Sequence, residues 1–267
     1  MRRPIGVFDS GIGGLTVAKE IMNILPNEDI VYFGDTARVP YGNKSKVTIE
    51  KFSLQISRFL KSKDVKAIVI ACNTASAFAL DIIKDNFDIP VIGVIIPGAR
   101  GASASTTNNR VGIIGTEGTV SSMAYSDAVK AINKDIEIFS TPCPLFVPIV
   151  EEGWSDKKVS YMIAEEYLDN MKLLDIDTLV MGCTHYPLLN NVVQQVMGEE
   201  VTLINPAKET ALELKDILSN RNIQNKKDVQ GKYSYYVSDN ANKFIKVGET
   251  FLNKKIDNIL EIDIEKY

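Results

Sequence analysis

Short apolar runs alternate with helical hydrophobic patterns along most of the 267 residues, and this alternation admits few architectures. A strand buried on both faces of a parallel sheet reads as a continuous apolar run, and the connection to the next parallel strand usually contains a helix. The pattern therefore predicts an α/β fold with mostly parallel sheets. The predicted strands are Ile5–Phe8, Ile30–Phe33, Ala67–Ala71, Val91–Val94, Val111–Gly115, Ile136–Ser140, Thr178–Gly182, Val201–Ile204 and Tyr233–Val237. The predicted helices are Leu15–Leu25, Lys46–Lys61, Ser76–Asn86, Ser121–Asn133, Lys157–Leu174, Leu188–Met197 and Ala207–Leu218.

Part of this pattern occurs twice. The segment Ile5–Gly11 resembles Val111–Gly118, and a second apolar strand that ends in a cysteine, Cys72 or Cys183, follows each segment at a similar distance. The repeat predicts two similar α/β domains related by a pseudo-twofold axis, with the active site in the cleft between them. We expect residues 1–97 and 208–267 to form the first domain and residues 98–207 to form the second.

Composition and charge exclude several classes of protein. Hydrophobic residues make up 45% and charged residues 24% of the chain, as in an ordinary soluble globular protein. The net charge of −4 comes without a basic stripe, so a nucleic-acid partner is not expected. The most apolar long segment, residues 67–83, contains polar side chains and is not a membrane span, and a strand-like stretch so near Met1 leaves no room for a signal peptide. Three cysteines argue against a disulfide framework, so we expect a cytoplasmic protein.

Cys72 and Cys183 each stand where an apolar strand gives way to a turn and a helix. Ligands of open α/β sheets bind at this carboxyl end of the strands, and a helix N-terminus there favours a bound carboxylate or a thiolate. One cysteine in such a place is as often a small buried hydrophobe. Two in matching contexts favour a function for both, whereas Cys143, between Pro142 and Pro144, is interpreted as a packing residue.

Other reactive side chains lie next to the two cysteines or at an equivalent strand end. His185, the only histidine, follows Cys183 by two residues, and an imidazole exchanges protons near neutral pH. Asp9 precedes the loop Ser10–Gly14, whose glycines let the backbone approach an anion, although Asp9 and Ser10 also suit a helix cap. The pattern Gly11-x-Gly13 is a weak match to a dinucleotide-binding motif, because position 16, where the motif has its third glycine, is Thr16. The sequence contains no phosphate-binding loop and no Cys-x-x-Cys pair. A single histidine makes a poor metal site. Nothing in the sequence requires a cofactor, although its many lysines leave pyridoxal phosphate open.

Six segments carry a resemblance to a known family. They are Gly6–Thr16, Tyr32–Gly42, Ile70–Ala75, Ile114–Thr116 with Thr119, Cys143–Pro148 with Glu151–Gly153, and Gly182–Leu188. In order and spacing they resemble the motifs of the bacterial glutamate racemases, in the aspartate/glutamate racemase superfamily, along nearly the whole chain.

The resemblance implies a cofactor-independent enzyme, without a metal, that interconverts L- and D-glutamate. Its catalytic residues would be Cys72 and Cys183, supported by Asp9, His185 and Glu151, with Glu152 as the alternative acid and Asp35 as a further supporting acid. Its substrate-binding residues would be Asp9, Ser10, Pro40, Tyr41, Gly42, Asn73, Thr74, Thr116, Thr119, Thr184 and His185. The resemblance also implies a homodimer that supplies D-glutamate for peptidoglycan, with glutamate as its small-molecule partner.

Racemisation requires a proton to leave one face of Cα and another to arrive on the opposite face, which two thiols on opposed walls can achieve. For L to D, the resemblance implies Cys183 as the base and Cys72 as the acid. Three alternatives stay open at this point. The chain can be a racemase of a related acidic amino acid such as aspartate, a small-anion-binding protein without catalysis, or a redox-sensing dithiol.

Overall fold

The computed structural model describes residues 2–226 and 229–267. Two compact units are formed, Met1–Val94 with Ala207–Tyr267, and Ile95–Pro206. In chain order the elements are β1 (Ile5–Asp9), α1 (Leu15–Ile24), β2 (Ile30–Gly34), α2 (Lys46–Ser62), β3 (Ala67–Ile70), α3 (Asn73–Asn86), β4 (Val91–Gly93), α4 (Ile95–Ser105), β5 (Arg110–Gly115), α5 (Glu117–Ser121), α6 (Ala124–Ile132), β6 (Glu137–Pro142), α7 (Phe146–Glu151), α8 (Lys158–Lys172), β7 (Thr178–Gly182), α9 (Asn190–Met197), β8 (Thr202–Ile204), α10 (Pro206–Asn220), β9 (Tyr233–Val237), α11 (Ala241–Leu252) and β10 (Ile259–Glu261). Short 3-10 helices occupy Tyr186–Leu189 and Ile264–Lys266.

Each unit contains one parallel sheet, which confirms the predicted fold class. The strand order is β10-β9-β2-β1-β3-β4 in the first unit and β6-β5-β7-β8 in the second, and every pair of neighbouring strands is parallel. The orders β2-β1-β3-β4 and β6-β5-β7-β8 correspond strand for strand, so the repeat seen in the sequence is a repeat of topology. The first unit adds β9 and β10, which come from the C-terminal segment.

Four of the inner strands are buried over their whole length. Every residue of β1, β2, β3 and β7 is buried, as expected for parallel strands covered on both faces. In the first unit α2 and α3 contribute to an apolar cluster with these strands, in which the ring of Phe59 lies 5.3 Å from that of Phe33. Polar side chains such as Asp9 and Asn73 therefore collect at the strand ends.

Some elements differ from the sequence predictions for local reasons. The predicted helix Ser121–Asn133 begins only at Ala124, because Met123 adopts a left-handed conformation with φ of 58° that separates α6 from the preceding helix α5. Pro97 and Gly98, where we expected a domain boundary, lie inside α4. Pro97 is the third residue of that helix, where the missing N–H has no partner within the helix.

Among the described residues, five α-helices and strands were not predicted, one of them the five-residue helix α5. The helices α7 and α11 are interrupted in sequence by Pro148 and Gly248, and α4 contains the Pro97–Gly98 pair. The strand β10 has only three residues and lies at the edge of its sheet. In the described part of the chain, no helix combines the length and apolar character needed to cross a membrane.

Candidate active site

Cys72 lies at the carboxyl end of β3 and caps α3. Its side chain is 5% exposed, and its Sγ accepts a hydrogen bond from the backbone N–H of Ala75 at 3.4 Å. The thiol also lies 3.5 Å from Oγ of Ser10. Register explains this contact, because Ser10 and Cys72 are each two residues beyond the paired residues Phe8 and Ile70. Asn73 and Thr74, predicted to bind substrate, form the first turn of α3 and are buried beside the thiol.

Asp9 ends β1 and is 1% exposed. Its Oδ2 accepts a hydrogen bond from the backbone N–H of Gly11 at 2.9 Å, which folds the loop Ser10–Gly14 back over the carboxylate. A Cβ at Gly14 would lie 2.5 Å from Cβ of Asp9, so only glycine fits there. The chain thus brings Asp9, Ser10 and Cys72 to one edge of the first sheet.

The loop that follows β2 carries the predicted substrate-binding residues Pro40, Tyr41 and Gly42. Tyr41 is buried and donates its hydroxyl to Asp35. Burial raises the pKa of the Tyr41 phenol, and the neighbouring Asp35 carboxylate raises it further. The peptide bond before Pro40 is cis, and Pro40 is exposed while Gly42 is half-buried.

Asp35 organises this loop rather than facing solvent. It is completely buried and accepts hydrogen bonds from Arg38 Nε at 2.7 Å and Ser238 Oγ at 2.8 Å as well as from Tyr41. Arg38 in turn donates to Glu265 at 3.0 Å. Asp35 therefore supports Tyr41 through a buried network that reaches the last residues of the chain.

Cys183 follows β7 in the second unit and is 7% exposed. Its Sγ lies 3.9 Å from Nδ1 of His185, and Oγ1 of Thr184 lies 3.5 Å from the same nitrogen. On the other side of the imidazole, Nε2 lies 3.3 Å from Oε1 of Glu151. Glu152, the alternative acid, is exposed and directly follows Glu151, the last residue of α7. The structure brings together Cys183, Thr184, His185 and Glu151.

This order of groups favours one tautomer of a neutral imidazole. A carboxylate accepts, so Glu151 favours the tautomer with its hydrogen on Nε2. Nδ1 is then an acceptor and faces the thiol of Cys183. The arrangement can take a proton from the thiol and return it.

Buried phenols and a second thiol surround Cys183. Burial raises the pKa of Tyr125, Tyr186 and Cys143, and the charge of a Cys183 thiolate raises each further. All three therefore stay neutral around it. Cys143 is completely buried, and its Sγ lies 3.7 Å from the carbonyl of Thr141, which agrees with its interpretation as a packing residue.

Thr116 and Thr119, both predicted to bind substrate, contact each other at the start of α5. Their hydroxyl oxygens are 3.1 Å apart, and Thr116 also caps the helix through the N–H of Thr119. Thr116 is one residue beyond the strand pair of Gly115 with Gly182, as Cys183 is. Thr116 thus occupies the place in the second unit that Ser10 occupies in the first.

Two tyrosines with roles at these edges were not singled out from the sequence. Tyr32 donates to the carbonyl of Gly11 at 3.0 Å, and Tyr186 donates to the carbonyl of Cys143 at 2.8 Å. The available signal was a phenol within an apolar stretch, since a buried hydroxyl must find a partner. Among the described residues, no group of three or more His, Cys, Asp or Glu side chains is arranged to hold a metal ion.

Comparisons with known proteins agree with this geometry. Residues 5–214 match the profile of a family described as Asp/Glu/Hydantoin racemase. A glutamate racemase of Geobacter metallireducens is 50% identical over 263 residues, which are 98% of this chain and 97% of that protein. The crystal structure of a glutamate racemase from Francisella tularensis in complex with D-glutamate has a TM-score of 0.94 and 43% identity, and the match covers 100% of this chain and 99% of that chain. An aspartate racemase of Picrophilus torridus has a TM-score of 0.57 and 17% identity over 84% of this chain and 100% of that chain, so it shares the fold.

Proposed function

This chain belongs to the Asp/Glu/Hydantoin racemase family, and on that premise we infer that it interconverts L- and D-glutamate. The support is similarity to glutamate racemases over nearly the whole chain, at 50% identity in sequence and a TM-score of 0.94 in structure. For aspartate, the alternative substrate, the similarity is distant, as in the aspartate racemase of Picrophilus torridus at 17% identity. The observation that carries the mechanism is that each unit has one strand-end thiol with its own proton-handling neighbours.

We propose a two-base mechanism in which Cys72 and Cys183 act on opposite faces of Cα. For L to D, the thiolate of Cys183 removes the α-proton, and the electron pair stays on the substrate as a carbanion. The thiol of Cys72 then donates a proton to the other face and becomes a thiolate. The roles are exchanged for D to L, and each turnover moves one proton onto one sulfur and one proton off the other.

The neighbours of each thiol differ, and so do their proposed roles. Ser10 and the N–H of Ala75 lie within hydrogen-bonding distance of the Cys72 sulfur and stabilise its thiolate. At Cys183, His185 moves the proton while Glu151 holds the imidazole in the required tautomer. The N–H of Gly11 donates to Asp9 and holds its carboxylate at the sheet edge that carries Cys72. Asp9 therefore supports proton transfer at Cys72.

An α-proton beside a carboxylate is very weakly acidic, so the chain must supply much of the barrier reduction without a cofactor. Orientation of the reacting groups contributes about 7–11 kcal/mol in favourable cases. A preorganised hydrogen-bond donor at developing charge contributes about 3–4 kcal/mol. The N-terminal turn of α3, with Asn73 and Thr74, offers such donors to the substrate carboxylate.

The wider role follows the family resemblance. We propose that the protein acts in the cytoplasm as a homodimer and that its D-glutamate is used for peptidoglycan.

The direct test is racemisation of L-glutamate by the purified protein in deuterium oxide, without added cofactor. Optical rotation should fall to zero while deuterium enters Cα. Cys72→Ser and Cys183→Ser should each lower racemisation by about 10²–10⁴-fold, the contribution of a positioned acid or base. Cys72→Ser should still exchange the α-hydrogen of L-glutamate, and Cys183→Ser that of D-glutamate, because the remaining thiol serves one face.

Cys143→Ser is the matched control and should stay within tenfold of the unchanged protein. Near-normal racemisation by either of the other cysteine variants would contradict the two-base mechanism. A higher kcat/KM with aspartate would favour the alternative substrate. Glutamate binding without turnover would indicate an anion-binding protein, and a reversible Cys72–Cys183 disulfide without turnover would indicate a redox sensor.

A further inference from the structure

Tyr32 lies in the middle of β2, is completely buried, and uses its hydroxyl at the catalytic edge of the first sheet. The hydroxyl donates to the carbonyl of Gly11 at 3.0 Å. The N–H of the same residue, Gly11, donates to Asp9, and the preceding residue, Ser10, contacts the sulfur of Cys72. The hydrogen bond from Tyr32 therefore holds Gly11, the residue that directly follows Ser10 and donates its N–H to Asp9.

The phenol of Tyr32 stays protonated whether or not its neighbours Asp9 and Cys72 are charged. Burial raises its pKa well above the ordinary value, and the nearby charges of Asp9 and Cys72 raise it further. The hydroxyl is therefore a constant donor and does not compete for the proton of the thiol.

In the second unit a buried tyrosine, Tyr186, lies near Cys183, but it follows β7 rather than lying in the counterpart of β2. It directly follows His185, is completely buried, and donates its hydroxyl to the carbonyl of Cys143 at 2.8 Å. The same carbonyl accepts the N–H of Phe146, the first residue of α7, at 3.2 Å. The rings of Tyr186 and Phe146 meet edge to face with centroids 5.2 Å apart.

These contacts attach α7 to the segment that carries the histidine. Glu151, the last residue of α7, reaches Nε2 of His185 at 3.3 Å. A short helix of six residues has little stability of its own, so its anchor at the first turn decides where its last side chain lies.

We propose that Tyr32 and Tyr186 are positioning residues, one for each thiol. Tyr32 holds the Ser10 and Asp9 side of Cys72, and Tyr186 holds the His185 and Glu151 pair of Cys183. Neither phenol takes part in proton transfer. The inference rests on the proposed two-base racemisation of glutamate.

The two thiols can be distinguished by isotope effects. In D-glutamate with deuterium at Cα, the bond to deuterium breaks at Cys72, and in deuterated L-glutamate it breaks at Cys183. The higher of the two barriers controls kcat/KM. A variant that raises the Cys72 barrier therefore increases the isotope effect measured with D-glutamate and decreases the one measured with L-glutamate.

The experiment compares Tyr32→Phe, Tyr186→Phe and the unchanged protein, with both deuterated enantiomers. Each variant keeps its ring and should lose roughly tenfold in kcat/KM, equally in both directions, because the equilibrium constant is unchanged. Tyr32→Phe should raise the isotope effect for D-glutamate and lower that for L-glutamate. Tyr186→Phe should give the reverse. Tyr235→Phe is the matched control: its ring lies 6.3 Å from that of Tyr32, and both isotope effects should stay unchanged.

Thermal melting of each variant shows whether it folds. A folded Tyr32→Phe tests the proposal for Cys72, and a folded Tyr186→Phe tests it for Cys183. Isotope effects that match those of the unchanged protein, or that change in the same direction for both enantiomers, overturn the proposal. Absence of racemisation in the unchanged protein contradicts the proposed function itself, so the two failures are distinct.

Discussion

At the scale of single residues, the two thiols have different supports. Cys72 relies on a serine and a helix N-terminus, whereas Cys183 has an imidazole and a carboxylate in line. An imidazole without its carboxylate adopts either tautomer, and only one tautomer presents an acceptor to the sulfur. Glu151 should therefore matter through His185 rather than through its own contact with substrate.

Glu151→Gln should lower kcat/KM by about 10–100-fold, the usual effect of losing a group that orients a functional histidine. The loss arises because an amide can also donate to Nε2 and so favours the wrong tautomer. Glu152→Gln, an adjacent and exposed position, is the matched control and should change activity little. Steady-state kinetics give kcat/KM for both variants. An equal loss of kcat/KM in Glu151→Gln and Glu152→Gln would contradict the role of Glu151.

At the scale of elements, the sequence predicts best where one physical signal dominates. Continuous apolar runs identified β1, β3 and β7, and the cysteines at the ends of β3 and β7 followed from that pattern. The contact between Glu151 and His185 depends on how α7 packs against the turn that begins at Tyr186, and no spacing along the chain encodes it. The role of Tyr32 is hidden for the same reason, because periodicity predicts that a side chain is buried but not which carbonyl it reaches.

The connection between α4 and β5 illustrates an element fixed by one carboxylate. Asp177 accepts hydrogen bonds from Thr107 N at 2.6 Å and Asn108 N at 2.9 Å. Burial alone would raise the pKa of Asp177, but hydrogen bonds from residues 106–108 outweigh it and hold the pKa well below its usual range. The carboxylate thus stabilises the folded state above the unfolded pKa of about 3.9, and this contribution is lost as the pH falls towards the folded pKa.

Asp177→Asn should lower the thermal midpoint by about 2–4 °C between pH 5 and 8, a modest effect because the site is partly solvated. The difference from the unchanged protein should shrink below about pH 4, where the unfolded chain takes up the proton. Asp175→Asn, an exposed carboxylate in the same unit, is the control. A difference that persists undiminished at pH 3 would contradict this account.

At the scale of the whole molecule, the first unit is discontinuous in sequence. The strand β9, from the C-terminal segment, pairs with β2 from Ile30 to Gly34, and the chain leading to it passes close to β2. A Cβ at Gly231 would lie 1.9 Å from the carbonyl of Glu28, so only glycine allows this approach. The side chain of Glu28 accepts from the N–H of Asn225 at 2.7 Å, and Lys66 donates to the carbonyl of Ile223 at 2.7 Å.

Glu28 and Lys66 join these segments through a buried ion pair at 2.5 Å, with side chains 1% and 7% exposed. Lys66→Met should lower the free energy of unfolding by about 3–5 kcal/mol, because it leaves the Glu28 carboxylate buried without its cation. Glu28→Gln combined with Lys66→Met should recover part of the loss, since the amide carries no charge and still accepts from Asn225.

Lys51→Met, exposed on α2, is the control. Hydrogen exchange should show the lost protection in β2 and β9 but not in β5 and β7. Equal stability of Lys66→Met and Lys51→Met would mean that packing of β9 against β2, rather than the ion pair, holds the C-terminal segment in the first unit.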